Sequence, residues 1–189
     1  GRDAGLLSAD GALEIGRGGF TLEPFVIERG RMTTWADVES RPFLVDDDLP
    51  MPGVQWKSTR WSLRVTAFAA GAADDVHLVA RYDLANATEQ PLTLTLALAA
   101  RPFQVNPPAQ FLSTVGGASP IRDIAYRGGA LAVNGTRLWF DVEGPAIVAD
   151  GRELRRRPTV VLVHGGPGVY DHAYFKPDFG RLAHHAQVV

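Results

Sequence analysis

The stretch that decides the fold begins with Val76-His77-Leu78-Val79-Ala80-Arg81-Tyr82-Asp83-Leu84 and, after the turn-like residues 86–91, continues with Leu92-Thr93-Leu94-Thr95-Leu96-Ala97-Leu98. In both runs one side of the alternation is apolar, and a period of two is typical of a β-strand that buries one face. We therefore predict two strands that pair as a long antiparallel hairpin.

The chain on either side of this stretch keeps the pattern of short strands. Thr21–Glu28 and Ser62–Phe68 are further extended segments, and Gly/Pro-rich connections such as residues 48–53 separate them. The pairs Gly128-Gly129 and Asn134-Gly135 are typical of turns and predict a last short hairpin. The sequence thus predicts a mainly β fold, in which residues 1–135 form an antiparallel β-sandwich.

Residues 136–189 follow a different pattern and are predicted to form a second part. Thr159–Val163 is an apolar strand without alternation, which is typical of a strand buried on both faces. A helix is predicted from about Tyr174, because apolar residues then recur at helical spacing. Residues 187–189 predict the start of another strand. We expect the stable core to lie in residues 1–135.

Composition excludes several classes of function. The 189 residues carry a net charge of -2, so we expect no nucleic-acid partner and no membrane-surface partner. The chain has no cysteine, which excludes disulfides and thiolate metal sites. No signal peptide or transmembrane segment is visible. We also predict no cofactor and no metal site, and the compartment and oligomeric state stay open.

The motif that carries chemistry is His164-Gly165-Gly166-Pro167-Gly168, placed between a predicted buried strand and a predicted helix. Glycines in such a loop let backbone N–H groups approach an anion closely. The segment Thr159–Gly168 resembles the oxyanion loop of α/β-hydrolases, particularly the proline iminopeptidase group, and the likeness covers roughly the last fifty residues. The resemblance implies that the N–H groups of Gly165 and Gly166 bind an oxyanion, while His164, Pro167 and Gly168 shape the loop.

A nucleophile for such a loop is absent from the sequence. None of the six serines lies in a Gly-x-Ser-x-Gly elbow, and all six precede the oxyanion loop, whereas the Ser, Asp and His of the family follow it. The first hypothesis is therefore a fused or truncated chain that carries part of an α/β serine hydrolase without its triad and is inactive alone. Whether the chain belongs to an enzyme stays open.

The β-rich part carries a second resemblance. Trp35-Ala36-Asp37-Val38, Leu49-Pro50-Met51-Pro52 and Arg101–Pro108 with Gly116–Ile121 are together similar to a β-supersandwich region of large bacterial proteins of the glycogen-debranching or six-hairpin glycosidase type, some labelled as discoidin-domain proteins. The likeness covers roughly residues 14–135. It implies a non-catalytic accessory domain of a carbohydrate-active protein, which is the second hypothesis.

Sugar binding needs exposed aromatic rings with polar groups around them. Core burial is the competing interpretation for each aromatic residue, because large rings dominate the cores of β-sandwiches. A third hypothesis is one merged fold in which residues 137–163 extend the β-sheet. A small-molecule, peptide or carbohydrate ligand is compatible with these hypotheses. The candidate carbohydrate contacts are Trp35, Trp56, Trp61 and Phe111.

Overall fold

The computed structural model describes residues 5–47, 49–72, 75–106 and 116–140 with their side chains, and the backbone of the strand residues 147–149, 152–154, 159–162 and 187–188. The chain divides into two compact units, residues 1–120 and residues 121–189. The boundary predicted at residue 135 falls inside the second of these units.

The first unit is built almost entirely from strands. Two short 3-10 turns, Trp35–Asp37 and Val45–Asp47, accompany them. Among the described residues the strands are β1 (Leu6–Leu7), β2 (Leu13–Glu14), β3 (Thr21–Glu28), β4 (Arg31–Thr33), β5 (Glu39–Leu44), β6 (Pro52–Lys57), β7 (Trp61–Ala72), β8 (Asp75–Asn86) and β9 (Leu94–Arg101).

The strands form two antiparallel sheets. In the first sheet β1 pairs with β2, β2 with β3, and β3 with the whole length of β9. Strand β4 pairs with the C-terminal end of β3, so β2 and β4 lie one after the other along β3. The second sheet has the order β5-β6-β7-β8. The prediction of a mainly β, antiparallel fold is confirmed.

The predicted hairpin between residues 76–84 and 92–98 is wrong. Strand β8 pairs with β7, from Trp61 opposite Asn86 to Ala72 opposite Asp75, whereas β9 pairs with β3 in the other sheet. Residues 87–93 therefore connect the two sheets. Alternation specifies which face of each strand is buried, but it does not specify the partner strand, and nearness in sequence is only a tendency.

The two sheets share one hydrophobic core. Val26 of β3 belongs to the same buried cluster as Val54 and Trp56 of β6 and Leu63 and Val65 of β7. Further apolar side chains from β8 and β9 pack against this cluster, which explains why both runs that predicted strands alternate. These packing residues include Tyr82, Leu84, Leu94 and Leu96.

Tyr82 shows how apolar this core is. Its hydroxyl is buried and has no hydrogen-bond partner among the described residues. Burial raises the pKa of the phenol above its ordinary value, because the charged form would lose its hydration. The side chain therefore acts as a neutral, essentially apolar group of the core.

The second unit begins with a three-stranded antiparallel meander. Its strands are joined by the pairs Gly128-Gly129 and Asn134-Gly135, all four with positive φ, as two-residue hairpin turns require. The predicted turns at both pairs are confirmed. The strands are β10 (Ile124–Arg127), β11 (Ala130–Val133) and β12 (Thr136–Leu138).

Four short strands follow along the chain. Strands β13 (Ile147–Ala149) and β14 (Arg152–Leu154) pair antiparallel. Strands β15 (Thr159–Leu162) and β16 (Gln187–Val188) pair in parallel, with Thr159 opposite Gln187 and Val160 opposite Val188. A parallel pair needs a crossover of a dozen or more residues, and residues 163–186 are long enough for one.

Candidate functional site

Trp35 is the one predicted aromatic contact that the described residues place at the surface. The side chain is 44% exposed and lies in the 3-10 turn Trp35–Asp37 that joins β4 to β5. Met32, on the preceding strand, is also exposed. These two residues place exposed apolar side chains at and beside the connection between the sheets.

A capping box holds the Trp35 turn in place. The Thr34 hydroxyl accepts a hydrogen bond from the Ala36 N–H at 3.3 Å, and the Thr34 N–H donates to Asp37 Oδ2 at 2.9 Å. The Thr34 hydroxyl also donates to the same carboxylate oxygen at 2.9 Å. The sequence Thr-x-x-Asp therefore satisfies the donors at the start of the turn reciprocally.

The Asp37 carboxylate is stabilised in its charged form. Its hydrogen bonds from the Thr34 backbone and then the Thr34 side chain, followed by the charge of Arg31, hold the pKa of this carboxyl below its ordinary value. A lowered pKa stabilises the fold above the unfolded-state pKa, and this contribution is lost as the pH falls through the folded value. The turn thus keeps its capping box at every pH where ordinary carboxyls are ionised.

Trp56 and Trp61, by contrast, cannot serve as sugar platforms. Trp56 is 0% exposed and Trp61 is 2% exposed, and both rings belong to the core cluster. The Trp56 indole Nε1 donates to the Asp10 carbonyl oxygen at 2.9 Å, so its one polar atom is also occupied. This corrects the interpretation of both rings as ligand contacts. Phe111 lies outside the described residues.

Two polar residues that lie near the candidate aromatics in the sequence, Gln104 and Glu39, make contacts within the protein. Gln104 Nε2 donates to the carbonyl oxygens of Gly18 at 3.2 Å and Ala118 at 3.1 Å. Glu39 forms an ion pair with Arg41. These side chains are therefore committed to contacts within the protein.

Glu14 is a structural residue that the sequence did not reveal. It is completely buried, and its carboxylate accepts hydrogen bonds from the Gly18 N–H at 2.8 Å and the Val105 N–H at 2.7 Å. The side chain therefore joins the β2–β3 loop to the segment that follows β9. No sequence pattern marks it, because Val105 is 91 positions away.

The outer face of the second sheet carries an arginine stacked on an aromatic ring. Arg64 Cζ lies 4.1 Å from the centroid of the Phe43 ring. The Phe43 ring in turn covers Gly53, where an added Cβ would lie 2.2 Å from Phe43 Cζ. Only glycine leaves room for this ring, so three neighbouring strands cooperate to place the guanidinium.

An apolar groove lies beside this face, next to strands β1, β5 and β6. It has a volume of about 400 Å³, and Leu7, Pro42 and Val54 are among the residues that line it. None of the described residues that line the groove has an ionisable side chain, so the described lining offers mainly apolar contact.

Two further exposed aromatic residues, each in contact with an arginine, were not predicted from the sequence. Trp139 is 60% exposed, and Arg137 Cζ lies 4.8 Å from the centroid of its ring. Phe103 is also exposed, and Arg101 Cζ lies 4.9 Å from the centroid of its ring. An arginine two residues before an aromatic residue is the sequence feature common to both places.

The predicted oxyanion residues Gly165 and Gly166, with His164, Pro167 and Gly168, lie outside the described residues. The described strands on either side of them in sequence are β15 and β16. In the part of the chain that the structure describes, no group of three or more His, Asp or Glu side chains is arranged to hold a metal ion. No helix in that part is long and apolar enough to cross a membrane.

Comparison with protein-family models, with curated proteins and with solved structures finds no match for this chain. The functional argument therefore depends on the geometry of the described residues and on the sequence motifs.

Proposed function

We propose that the β-rich part of the chain is a non-catalytic carbohydrate-binding accessory module, which contacts its ligand through Trp35. The observation that carries the proposal is an indole exposed on a turn whose conformation is already fixed by Thr34 and Asp37. A preorganised aromatic ring binds a sugar face with little loss of conformational entropy. The resemblance proposed from the sequence of residues 14–135, to accessory β-regions of glycosidase-type proteins, implies the same class of ligand.

The first test is binding of the purified chain to soluble polysaccharides, both neutral and acidic, by affinity gel electrophoresis. We expect Trp35→Ala to weaken binding by roughly 10- to 30-fold, since one well-stacked indole contributes about 1.5–2 kcal/mol. Trp139→Ala is the matched control, because it also removes an exposed indole. Unlike Trp35, Trp139 has a known ring contact, with the Arg137 guanidinium.

The control separates a specific contact from general stickiness of exposed rings. Binding that is retained in Trp139→Ala and lost in Trp35→Ala supports the proposal. Equal losses in the two variants, or no polysaccharide bound by the wild-type chain, would overturn it.

A second candidate function concerns residues 159–188, which we propose to be the opening strand-loop-helix-strand segment of an α/β-hydrolase. The parallel register of β15 and β16 favours it, because α/β folds are built from parallel strands joined by helical crossovers. Gly165 and Gly166 lie in this crossover in sequence, where the family places its oxyanion loop. The chain has no Gly-x-Ser-x-Gly elbow, so we expect no ester hydrolysis from it.

Paired cysteines test the parallel register on a chain that has no cysteine of its own. Val160→Cys with Val188→Cys places two thiols on directly opposite residues, and we expect rapid disulfide formation under mild oxidation. Thr159→Cys with Val188→Cys is the control, since its thiols point to opposite faces of the ladder. Cross-linking that is equally fast in both variants would contradict the parallel pair and with it the second candidate.

A further inference from the structure

The outer face of the second sheet is defined by the strand registers. Val54, Trp56, Leu63 and Val65 point into the core, so the residues between them point away from it. One row of residues crosses all four strands. In it Arg41 of β5 lies opposite Gln55 of β6, Gln55 lies opposite Arg64 of β7, and Arg64 lies opposite Asp83 of β8. The charged members of this face are Glu39, Arg41, Lys57, Arg64, Asp75, Arg81 and Asp83.

This face has the opposite charge from the unit that carries it. Four of its seven charged side chains are basic, whereas residues 1–120 contain 14 acidic and ten basic residues. Arg41, Lys57, Arg64 and Arg81 are all exposed. Such a local inversion attracts an anion to the face while the rest of the unit repels it.

Two of the four cations already have partners on the face. Arg41 pairs with Glu39, and Arg81 Nε donates to Asp83 Oδ1 at 2.8 Å. Asp83 lies opposite Arg64 in the strand register, but the Asp83 carboxylate forms its ion pair with Arg81. Among the described residues, no carboxylate lies within 4 Å of Arg64 or of Lys57.

Arg64 is held ready to bind a carboxylate. Its stacking on Phe43, itself seated on Gly53, restricts the guanidinium before any ligand arrives. A planar guanidinium donates two parallel hydrogen bonds to one carboxylate, and little entropy is lost when its side chain is already fixed. The neighbouring Gln55 amide adds a donor and an acceptor suited to sugar hydroxyls.

We propose that this face binds a carboxylate-bearing polysaccharide, with Arg64 as the residue that recognises the acid group. The inference rests on the proposed carbohydrate function and adds the class of sugar to it. The charge pattern favours a glycan over a nucleic acid, because the carboxylates of Glu39, Asp75 and Asp83 lie among the cations and the unit as a whole is acidic. A chain of closely spaced phosphates would meet both sources of repulsion.

The test uses the full chain with polygalacturonate and with its fully methyl-esterified form, which removes the charge and keeps the sugar. We expect the wild-type chain to prefer the acid form by at least about tenfold at low salt, and to lose that preference at high salt. Arg64→Ala is expected to lose about tenfold in affinity for polygalacturonate only, whereas Arg64→Lys recovers less than half of the loss. Arg17→Ala, an exposed arginine of the β2–β3 loop, is the matched control.

The outcomes separate this inference from the proposed function. Glycan binding that depends on Trp35 but is equal for both forms and unchanged in Arg64→Ala overturns the acid recognition and leaves the carbohydrate module intact. Failure to bind either form or any other polysaccharide overturns both. Binding of polyglutamate or DNA as tight as that of polygalacturonate would show a general polyanion surface and overturn the assignment to a glycan.

Discussion

Replacing Trp56 by alanine is expected to lower the free energy of unfolding by about 4 kcal/mol. The side chain is completely buried among residues of both sheets, so truncation leaves a cavity at their shared core. The change also removes the donor to the Asp10 carbonyl oxygen. Urea unfolding followed by circular dichroism measures the loss, because it does not depend on tryptophan fluorescence.

Two variants serve as controls for this prediction. Trp56→Phe keeps most of the ring and loses the Nε1 hydrogen bond, so we expect a smaller cost of roughly 1–2 kcal/mol. Trp35→Ala removes an exposed ring and is expected to change stability by less than about 0.5 kcal/mol. Similar losses for Trp56→Ala and Trp35→Ala would contradict the different burial of the two residues.

The contrast between these tryptophans shows what alternation can predict about a site. Trp56 is two residues from Val54, and Trp61 is followed at steps of two by Leu63 and Val65. The period of two therefore already assigns both rings to an apolar face. Trp35 lies in Thr34-Trp35-Ala36-Asp37, which has no strand periodicity and carries the residues of a capping box. The surface position of Trp35 was therefore within reach of sequence reasoning, and so was the burial of the other two.

Strand positions were predicted well where one face is buried and a turn residue marks the end. Thr21–Glu28 has the predicted bounds, and the turns at Gly128-Gly129 and Asn134-Gly135 join the strands expected there. The pairing of strands was not predictable in the same way. Strands β3 and β9 are far apart in sequence, and any apolar face of suitable length satisfies the same pattern.

The cationic surface could not be found from composition alone. A net charge of -2 suggests no electrostatic preference, because opposite charges cancel when they are summed over the chain. The registers of β5 to β8 bring Arg41, Arg64 and Arg81 together, although these residues are up to 40 positions apart in the sequence. Charge distribution on a sheet face therefore depends on strand order, which one sequence does not specify.

Replacing Glu14 by alanine is expected to cost about 3 kcal/mol of stability, the second largest loss among our predictions. The change leaves the buried N–H groups of Gly18 and Val105 without their acceptor, and each unsatisfied donor costs roughly 1–3 kcal/mol. Glu14→Gln keeps one acceptor oxygen but turns an NH₂ group towards the other donor, so it is expected to recover only part of the loss.

The effect of Glu14→Ala should be local as well as global, because the carboxylate connects two segments that are distant in sequence. We expect hydrogen exchange to accelerate at the amides of Gly18 and Val105 before it does at core amides such as Val26, since the loops lose their shared anchor first. Glu39→Ala, which removes an exposed carboxylate, is the control and should leave both amides unchanged. Uniform acceleration throughout the first unit would show instead that Glu14 stabilises the whole sheet packing and has no particular role in holding the segment after β9.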